Sequence, residues 1–351
     1  MGNKKKVVVQ LPRHARSEAI AERYALELEA LAPLADIVEI DGATPESFAD
    51  GAKDADAIIT SWGIKIDRDI IAKLEQCTVI GVGSVGVDMV DVAAASDAGI
   101  VVTNVPDVFI EEVADHAMML LLAAVRRSRI MQDMVLRGDW FKGRPLLEHV
   151  PRLMGQTLGL LAFGNVARCT ARRAKAFGLR VIAHDPYVSE LTMSDAGVEP
   201  VSFADLLARS DYLSVHAPLN DETRHKIDAT ALGQMKPTAV IINTARGSII
   251  NEVDLIDALE SERIAAAGLD VLETEPVDLE NPLLTMDNVI VTPHVASATT
   301  RMRPETRRRV GREVALVLQS RWPLSCVNPT VLPKVPLERW QPYPMNRGPN
   351  R

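Results

Sequence analysis

The chain predicts an α/β protein built from two doubly wound parallel sheets, and three observations carry this. Short apolar runs alternate with helical patterns along most of its length, as strands joined by crossover helices do. One stretch, "TLGLLAFGNVARCTARRAKAFGLRVIAHD", sets a strand, a small-residue turn, a helix closed by Gly178 and a second strand in direct succession. The 351 residues, 47% hydrophobic and 25% charged, have an ordinary soluble composition and enough chain for two cores.

Taken in order, "VVVQL" reads as a strand, "SEAIAERYALELEAL" as one amphipathic helix, "DIVEI" and "DAIIT" as strands, "IIAKLEQ" as a helix, and "TVIGVGS" as a strand running into a glycine-containing turn. After Pro106 comes an apolar helix containing "AMMLLLAAV", ending in "RRSR", and then a polar stretch containing Trp140. A second α/β series opens at "TLGLLAFG" and continues through "DYLSVHAPL", "AVIINTARGS", "AAAGLDVLE" and "NVIVTPH". No internal repeat is visible. The tail "VLPKVPLERWQPYPMNRGPNR" has five prolines and is expected to be an extended arm or disordered, not a packed element.

A net charge of −8 argues against a nucleic-acid or anionic-membrane surface and favours small molecules or proteins as partners. Cys77, Cys169 and Cys326 lie far apart, with no metal spacing and no disulfide framework, so a reducing, cytoplasmic setting is expected. The basic start "MGNKKKVVVQLPRHAR" has its apolar run cut by Pro12 and Arg13, too short for an export signal, and Lys6 stands where myristoylation wants Ser or Thr. The apolar run Ala117 to Val125 is far shorter than a bilayer span and is expected to be a buried helix.

The turn "AFGNVA" follows the dinucleotide fingerprint G-x-G-x-x-G with alanine at two of its three glycine positions, Ala162 and Ala167, around a retained Gly164. Alone it is also compatible with a plain strand-to-helix turn. Asp185, 21 residues after Gly164 at the end of the next strand, is where an acid that binds the adenosine ribose hydroxyls is expected. A carboxylate there favours NAD over NADP, although Arg180 precedes the strand.

The blocks "VGSVGVDMVDVAAASDAGIVVTNVP", "GQTLGLLAFGNVAR", "INTARGSIINEVDLIDAL", "GLDVLETEP" and "NVIVTPHVASAT", in that order, resemble the D-isomer-specific 2-hydroxyacid dehydrogenase family. "GQTLG" and "VNPTVL" also resemble its C-terminal-binding-protein branch, NAD-dependent relatives known chiefly as corepressors. The resemblance implies two Rossmann-like domains, with an NAD-binding domain (106–297) inserted into a substrate domain (1–105 and 298–351). It further implies NAD as cofactor, a small 2-oxo or 2-hydroxy acid as substrate, and a homodimer formed through the cofactor domains.

Reducing a 2-oxo acid needs a cation for its carboxylate, an acid to protonate the forming alkoxide, and a partner that holds that acid protonated. Arg246 in "NTARG", Glu275 in "ETEP" and His294 in "TPH" stand at the family's three positions. Taken singly, each could be a surface charge, a turn residue or a cap. The resemblance also assigns Ser84, Val85 and Gly86 to an anion-binding loop for the substrate carboxylate. It assigns Gly164, Asn165, Val166 and Asp185 to the dinucleotide, His216, Ala217 and Thr223 to its ribose and phosphates, and Thr244 and Asp270 to the nicotinamide. Met89 departs from the family's Asn and Ala162 from its first glycine. Trp62 is read either as overhanging the substrate or as a packing residue. Asp115 and His116 are expected to stabilise the helix and domain joint.

Two functions follow: an NAD-dependent dehydrogenase, and an NAD-sensing binding protein of the corepressor type. 3-Phosphoglycerate dehydrogenase is a narrower alternative, weakened because the N-terminal loops show no clear Arg/Lys cluster for a phosphate. Formate dehydrogenase is disfavoured, since that relative has an amide where Glu275 stands.

Overall fold

The computed structural model describes residues 4–11, 19–61 and 63–339; Trp62 and the last part of the proline-rich tail lie outside the described residues. The chain divides into two compact units, Met1–Val108 with Thr299–Arg351, and Phe109–Ala298.

The first unit holds a five-stranded sheet in the order β2-β1-β3-β4-β5, with β1 Lys5–Gln10, β2 Ala35–Ile40, β3 Ala57–Thr60, β4 Val79–Val82 and β5 Val101–Thr103. Every pairing is parallel. Period-two alternation divides its apolar residues between two cores: Val8, Ile58, Ile80 and Val102 on one face, Val7, Val9, Ala57, Val79 and Val101 on the other. The second core is covered by the helix Met302–Leu318, contributed from the far end of the chain.

The return segment is fastened by buried polar groups. Asn328 Oδ1 accepts from Val102 N–H (2.9 Å) while its amide donates to Ile100 O (2.9 Å). The fully buried Glu313 accepts from Arg309 Nε (2.6 Å) and from Leu324 N–H (2.8 Å). Part of the proline-rich tail is therefore packed, contrary to expectation. Val331 is buried, Lys334 N–H donates to Gly99 O and Trp322 N–H to Glu338 O.

Two helices differ from the sequence reading. The expected single N-terminal helix is broken at Tyr24 (φ −110°, ψ 25°) into Ile20–Arg23 and Ala25–Leu31, and the Tyr24 hydroxyl donates to Glu39 (2.9 Å). The helix expected over "IIAKLEQ" is Arg68–Ala72, capped by Asp67, which accepts from Ile70 N–H (3.0 Å).

The second unit holds a seven-stranded sheet in the order β12-β11-β10-β9-β6-β7-β8, with β6 Thr157–Leu161, β7 Arg180–His184, β8 Glu199–Pro200, β9 Tyr212–Val215, β10 Val240–Asn243, β11 Ala266–Leu269 and β12 Val289–Val291. All its pairings are parallel. The chain builds outward from β6 to β8, then returns to the other side of β6 and builds outward again from β9 to β12. The strand order reverses between β6 and β9, and ligands of open α/β sheets bind outside the carboxyl ends of the strands at such a point.

The apolar helix Ile110–Val125 packs Ala117, Leu120, Leu121 and Ala124 against one face of this sheet, while Met119 is exposed. Among the described residues no helix is long and apolar enough to cross a membrane. The stretch around Trp140, read from the sequence only as polar, is helical. It forms the helix Ser128–Arg137, a 3-10 turn Trp140–Lys142 and the helix Gly143–Leu147, none with a buried residue. Leu136, Trp140 and Phe141 are exposed, at 74%, 72% and 90%.

Candidate active site

The loop after β6 turns on Ala162, which adopts φ +74° and donates its N–H to His184 O (2.8 Å). This is the left-handed conformation that glycine adopts freely and that costs other residues roughly 1–2 kcal/mol. The methyl group is tolerated at a conformational cost, and the turn is still made. Gly164 caps the helix Asn165–Ala176 at an ordinary φ of −77°, and a Cβ built on it meets nothing within 4 Å. Neither backbone conformation nor protein packing requires glycine at this position. The close approach of a bound pyrophosphate would, with the amides of Asn165 and Val166 at the positive end of the helix.

Asp185 lies one residue beyond β7. Its Oδ2 accepts from Phe163 N–H and its Oδ1 from Tyr187 N–H, both at 2.8 Å. A carboxylate has about four acceptor sites, so it retains capacity for a pair of hydroxyls while tethering the loop. These residues fit a dinucleotide.

Two further strand ends follow on the β9 side of this loop. His216 follows β9, its Nε2 meets Ser214 Oγ (2.9 Å), and burial pushes its pKa down to about 4. It is therefore neutral near pH 7 and offers hydrogen-bonding capacity without charge. Ala217 is buried beside it. Thr223 has its hydroxyl committed locally, donating to Pro218 O (2.6 Å) and accepting from Asn220 N–H (2.8 Å). The Thr244 hydroxyl, after β10, is buried with no hydrogen-bond partner among the described residues.

Arg246 lies three residues past β10. Buried Asn243 shapes the turn, accepting from Ala245 N–H (3.0 Å) and donating to Arg246 O (2.9 Å). Gly247 presses against the loop after β11, where a Cβ would come within 2.0 Å of the Leu272 carbonyl carbon and oxygen. That contact seats the Arg246 turn on the segment bearing Glu275. Glu275 Oε2 accepts from His294 Nδ1 (2.7 Å) and Oε1 from Leu272 N–H (3.1 Å). Burial alone would raise the Glu275 pKa. The His294 and Leu272 hydrogen bonds and the charges of His294 and Arg246 outweigh it, and the net direction is down. The carboxylate is thus ionised at neutral pH.

His294 sits at φ +51°, held by its own N–H donating to Asp270 O (2.8 Å). Asp270, which the resemblance places beside the nicotinamide, is 1% exposed and is held by protein groups. Its carboxylate accepts from Thr292 Oγ1 (2.5 Å), Val295 N–H (3.0 Å) and Ala296 N–H (2.8 Å), and so holds the residues on both sides of His294. The Thr292 proton goes to Asp270, so Thr292 Oγ1 accepts from His116 Nε2 (2.9 Å). His116 therefore supports the His294 turn, a role the sequence reading missed, while Asp115 pairs with Arg173 of the neighbouring helix. Among the described residues, no cluster of side chains could hold a metal.

Ser84, Val85 and Gly86 belong to the first unit, after β4. Their three carbonyls are all engaged: Ser84 O by Val105 N–H (3.0 Å), Val85 O by the Asn104 amide (2.7 Å) and Gly86 O by the Ser84 hydroxyl (2.7 Å). Pinned carbonyls fix the peptide planes of this loop, which the resemblance assigns to an anion. Met89 keeps its turn through the backbone, its carbonyl accepting from Ile66 N–H (2.7 Å).

Residues 118–296 match the family model described as D-isomer specific 2-hydroxyacid dehydrogenase, NAD binding domain. D-3-phosphoglycerate dehydrogenase of Methanocaldococcus jannaschii is 38% identical over 326 residues, which cover 91% of this chain and 61% of that protein. The chain thus spans less than two thirds of that relative. Glyoxylate reductase of Aeropyrum pernix is 36% identical over 318 residues, 89% of this chain and 95% of the relative. The crystal structure of a glyoxylate reductase from Paecilomyes thermophila superposes with a TM-score of 0.80 at 31% identity, covering 92% of this chain and 98% of that one. With its two parallel α/β sheets and a matched NAD-binding domain, the chain belongs to the D-isomer-specific 2-hydroxyacid dehydrogenase family.

Proposed function

We propose that the protein is an NAD-dependent oxidoreductase that interconverts a 2-oxo acid and a D-2-hydroxy acid, and the His294–Glu275 contact carries this reading. An ionised carboxylate can only accept, so Nδ1 of His294 bears the proton of that bond and Nε2 serves the substrate oxygen. The Gly164 loop and Asp185 would hold the dinucleotide, which when bound as NADH would supply hydride to the carbonyl carbon of the substrate. The imidazolium of His294 gives its Nε2 proton to the carbonyl oxygen, which becomes the hydroxyl, and neutral imidazole remains. Glu275 orients the ring and favours its cationic form. Arg246 offers a planar fork to the substrate carboxylate and polarises the adjacent carbonyl. The family resemblance assigns Ser84, Val85 and Gly86 to a substrate carboxylate through their N–H groups.

The test is NADH oxidation against glyoxylate, pyruvate and bulkier 2-oxo acids, with D-3-phosphoglycerate assayed in the oxidation direction. Turnover of at least one supports the reading. Tight NADH binding with none turned over would favour the binding-protein alternative.

NADH is expected to be preferred over NADPH, because Asp185 accepts from ribose hydroxyls and repels a 2′-phosphate. Asp185→Asn removes the charge while still able to accept the Phe163 N–H. It should lower the NADH to NADPH ratio of kcat/KM by about tenfold or more, since a like-charge contact costs several kcal/mol. A parent enzyme that uses NADPH equally well contradicts this assignment.

We also propose a homodimer, supported by the apolar side chains exposed on the helices over 128–147. Light scattering at micromolar protein should give twice the 38.3 kDa chain mass; a monomer mass refutes it.

A further inference from the structure

Three loops of the second unit that carry proposed site residues are joined by two side chains that have no role in the reaction described above. His225, two residues after Thr223, donates its ring Nε2 to Glu273 Oε1 and its backbone N–H to Ser248 O (2.8 Å). Ile227 N–H then donates to Ile249 O (3.1 Å) and Asn251 N–H to Ile227 O (2.9 Å), which pairs the Thr223 loop with the turn after Arg246. Glu273, two residues before Glu275, accepts with its second oxygen from Glu252 N–H (3.1 Å), at the start of the helix Glu252–Glu260. Glu252 answers by accepting from Glu273 N–H (2.8 Å) and from the Asn281 amide (2.7 Å).

Stability alone is a weak reason for this pair. The two side chains are 39% and 28% exposed, and an ion pair at such a surface contributes about 0–1 kcal/mol. His225 also stands at φ +51°, where glycine or asparagine sits more easily. The contact spans 48 residues of sequence and meets the chain between Thr223 on one side and Glu275 on the other.

We propose that His225 and Glu273 are positioning residues, a clasp that holds the Thr223 loop and the Arg246 turn in register with the segment bearing Glu275. Cofactor binding and proton transfer then share one support. The kinetic consequence rests on the dehydrogenase reading given above; the binding consequence does not.

The test compares His225→Asn, His225→Gln, Glu273→Gln and the double variant His225→Asn/Glu273→Gln with the parent, all well below their melting temperatures. Asn tolerates the left-handed backbone but is too short for the Glu273 contact, whereas Gln can restore the donor. His225→Asn should lower kcat about tenfold with the 2-oxo acid KM within about twofold, a fraction of what a 1 Å misplacement costs. It should also weaken NADH, titrated by fluorescence, about threefold, while His225→Gln returns both values to within about twofold of the parent. The double variant should be no worse than His225→Asn, because both changes remove one contact.

A lowered melting temperature with kcat, KM and NADH affinity unchanged overturns the proposal, as do losses that multiply in the double variant. If the parent binds NADH but reduces no 2-oxo acid, the dehydrogenase reading fails by itself. The clasp is then judged on NADH affinity, and an unchanged value in His225→Asn overturns it.

Discussion

Replacing His294 by asparagine or alanine should lower the rate of 2-oxo acid reduction by at least about 10²-fold, the scale of a positioned general acid. Asparagine is the cleaner variant. His294 occupies φ +51°, which asparagine adopts more readily than alanine, and the backbone bond to Asp270 O needs no side chain. NADH affinity should stay within a few fold in both variants, because the dinucleotide loop, Asp185 and the helix starting at Asn165 are separate segments. Steady-state NADH oxidation beside a fluorescence titration reads the two quantities. Turnover equal to the parent would remove His294 from the chemistry.

Gly247→Ala should be damaging in two ways. The new Cβ would come within 2.0 Å of the Leu272 carbonyl and 2.5 Å of Glu273 N, all backbone atoms that no rotamer change can move aside. Forcing this contact apart should lower stability by about 1–3 kcal/mol, the usual cost of overpacking. It should also displace Arg246 from the Glu275 segment, and kcat for the fraction that stays folded should fall at least about tenfold, since misplacement near 1 Å costs as much as 10²-fold. Thermal melting and kinetics on the same sample separate the two effects. Parent-like values in both would mean that the Arg246 turn is not seated by this contact.

Much of this site is legible in the sequence because it lies at strand ends. Parallel strands buried on both faces leave short apolar runs, and the residues just past "VIIN", "AAGL" and "VIV" bring Arg246, Glu275 and His294 to one edge of one sheet. What was not legible depends on partners distant in sequence. That the buried Asp270 carboxylate also holds Thr292, Val295 and Ala296 is visible only in the fold. His116 reads as a stabiliser of the helix and domain joint, and its meeting with Thr292, 176 positions away, shows only in the fold. The break at Tyr24 accompanies a contact with Glu39, which leaves no periodic trace. The helices over 128–147 went unread because their apolar residues face outward and fit no core-facing stripe.

The central claim is that Glu275 holds His294 as the acid that protonates the substrate oxygen, and the pH dependence of Glu275→Gln tests it most directly. The Glu275 pKa is depressed, so its negative charge is present at neutral pH and is lost only as pH falls through that lowered value. Glutamine keeps an oxygen that can accept from Nδ1 but removes the charge that favours the imidazolium. Reduction needs the protonated ring and oxidation the neutral one. In the variant, the fall of the reduction rate with rising pH should therefore move to lower pH, and the rise of the oxidation rate should move with it. Profiles for Glu275→Gln that coincide with the parent in both directions would contradict the account.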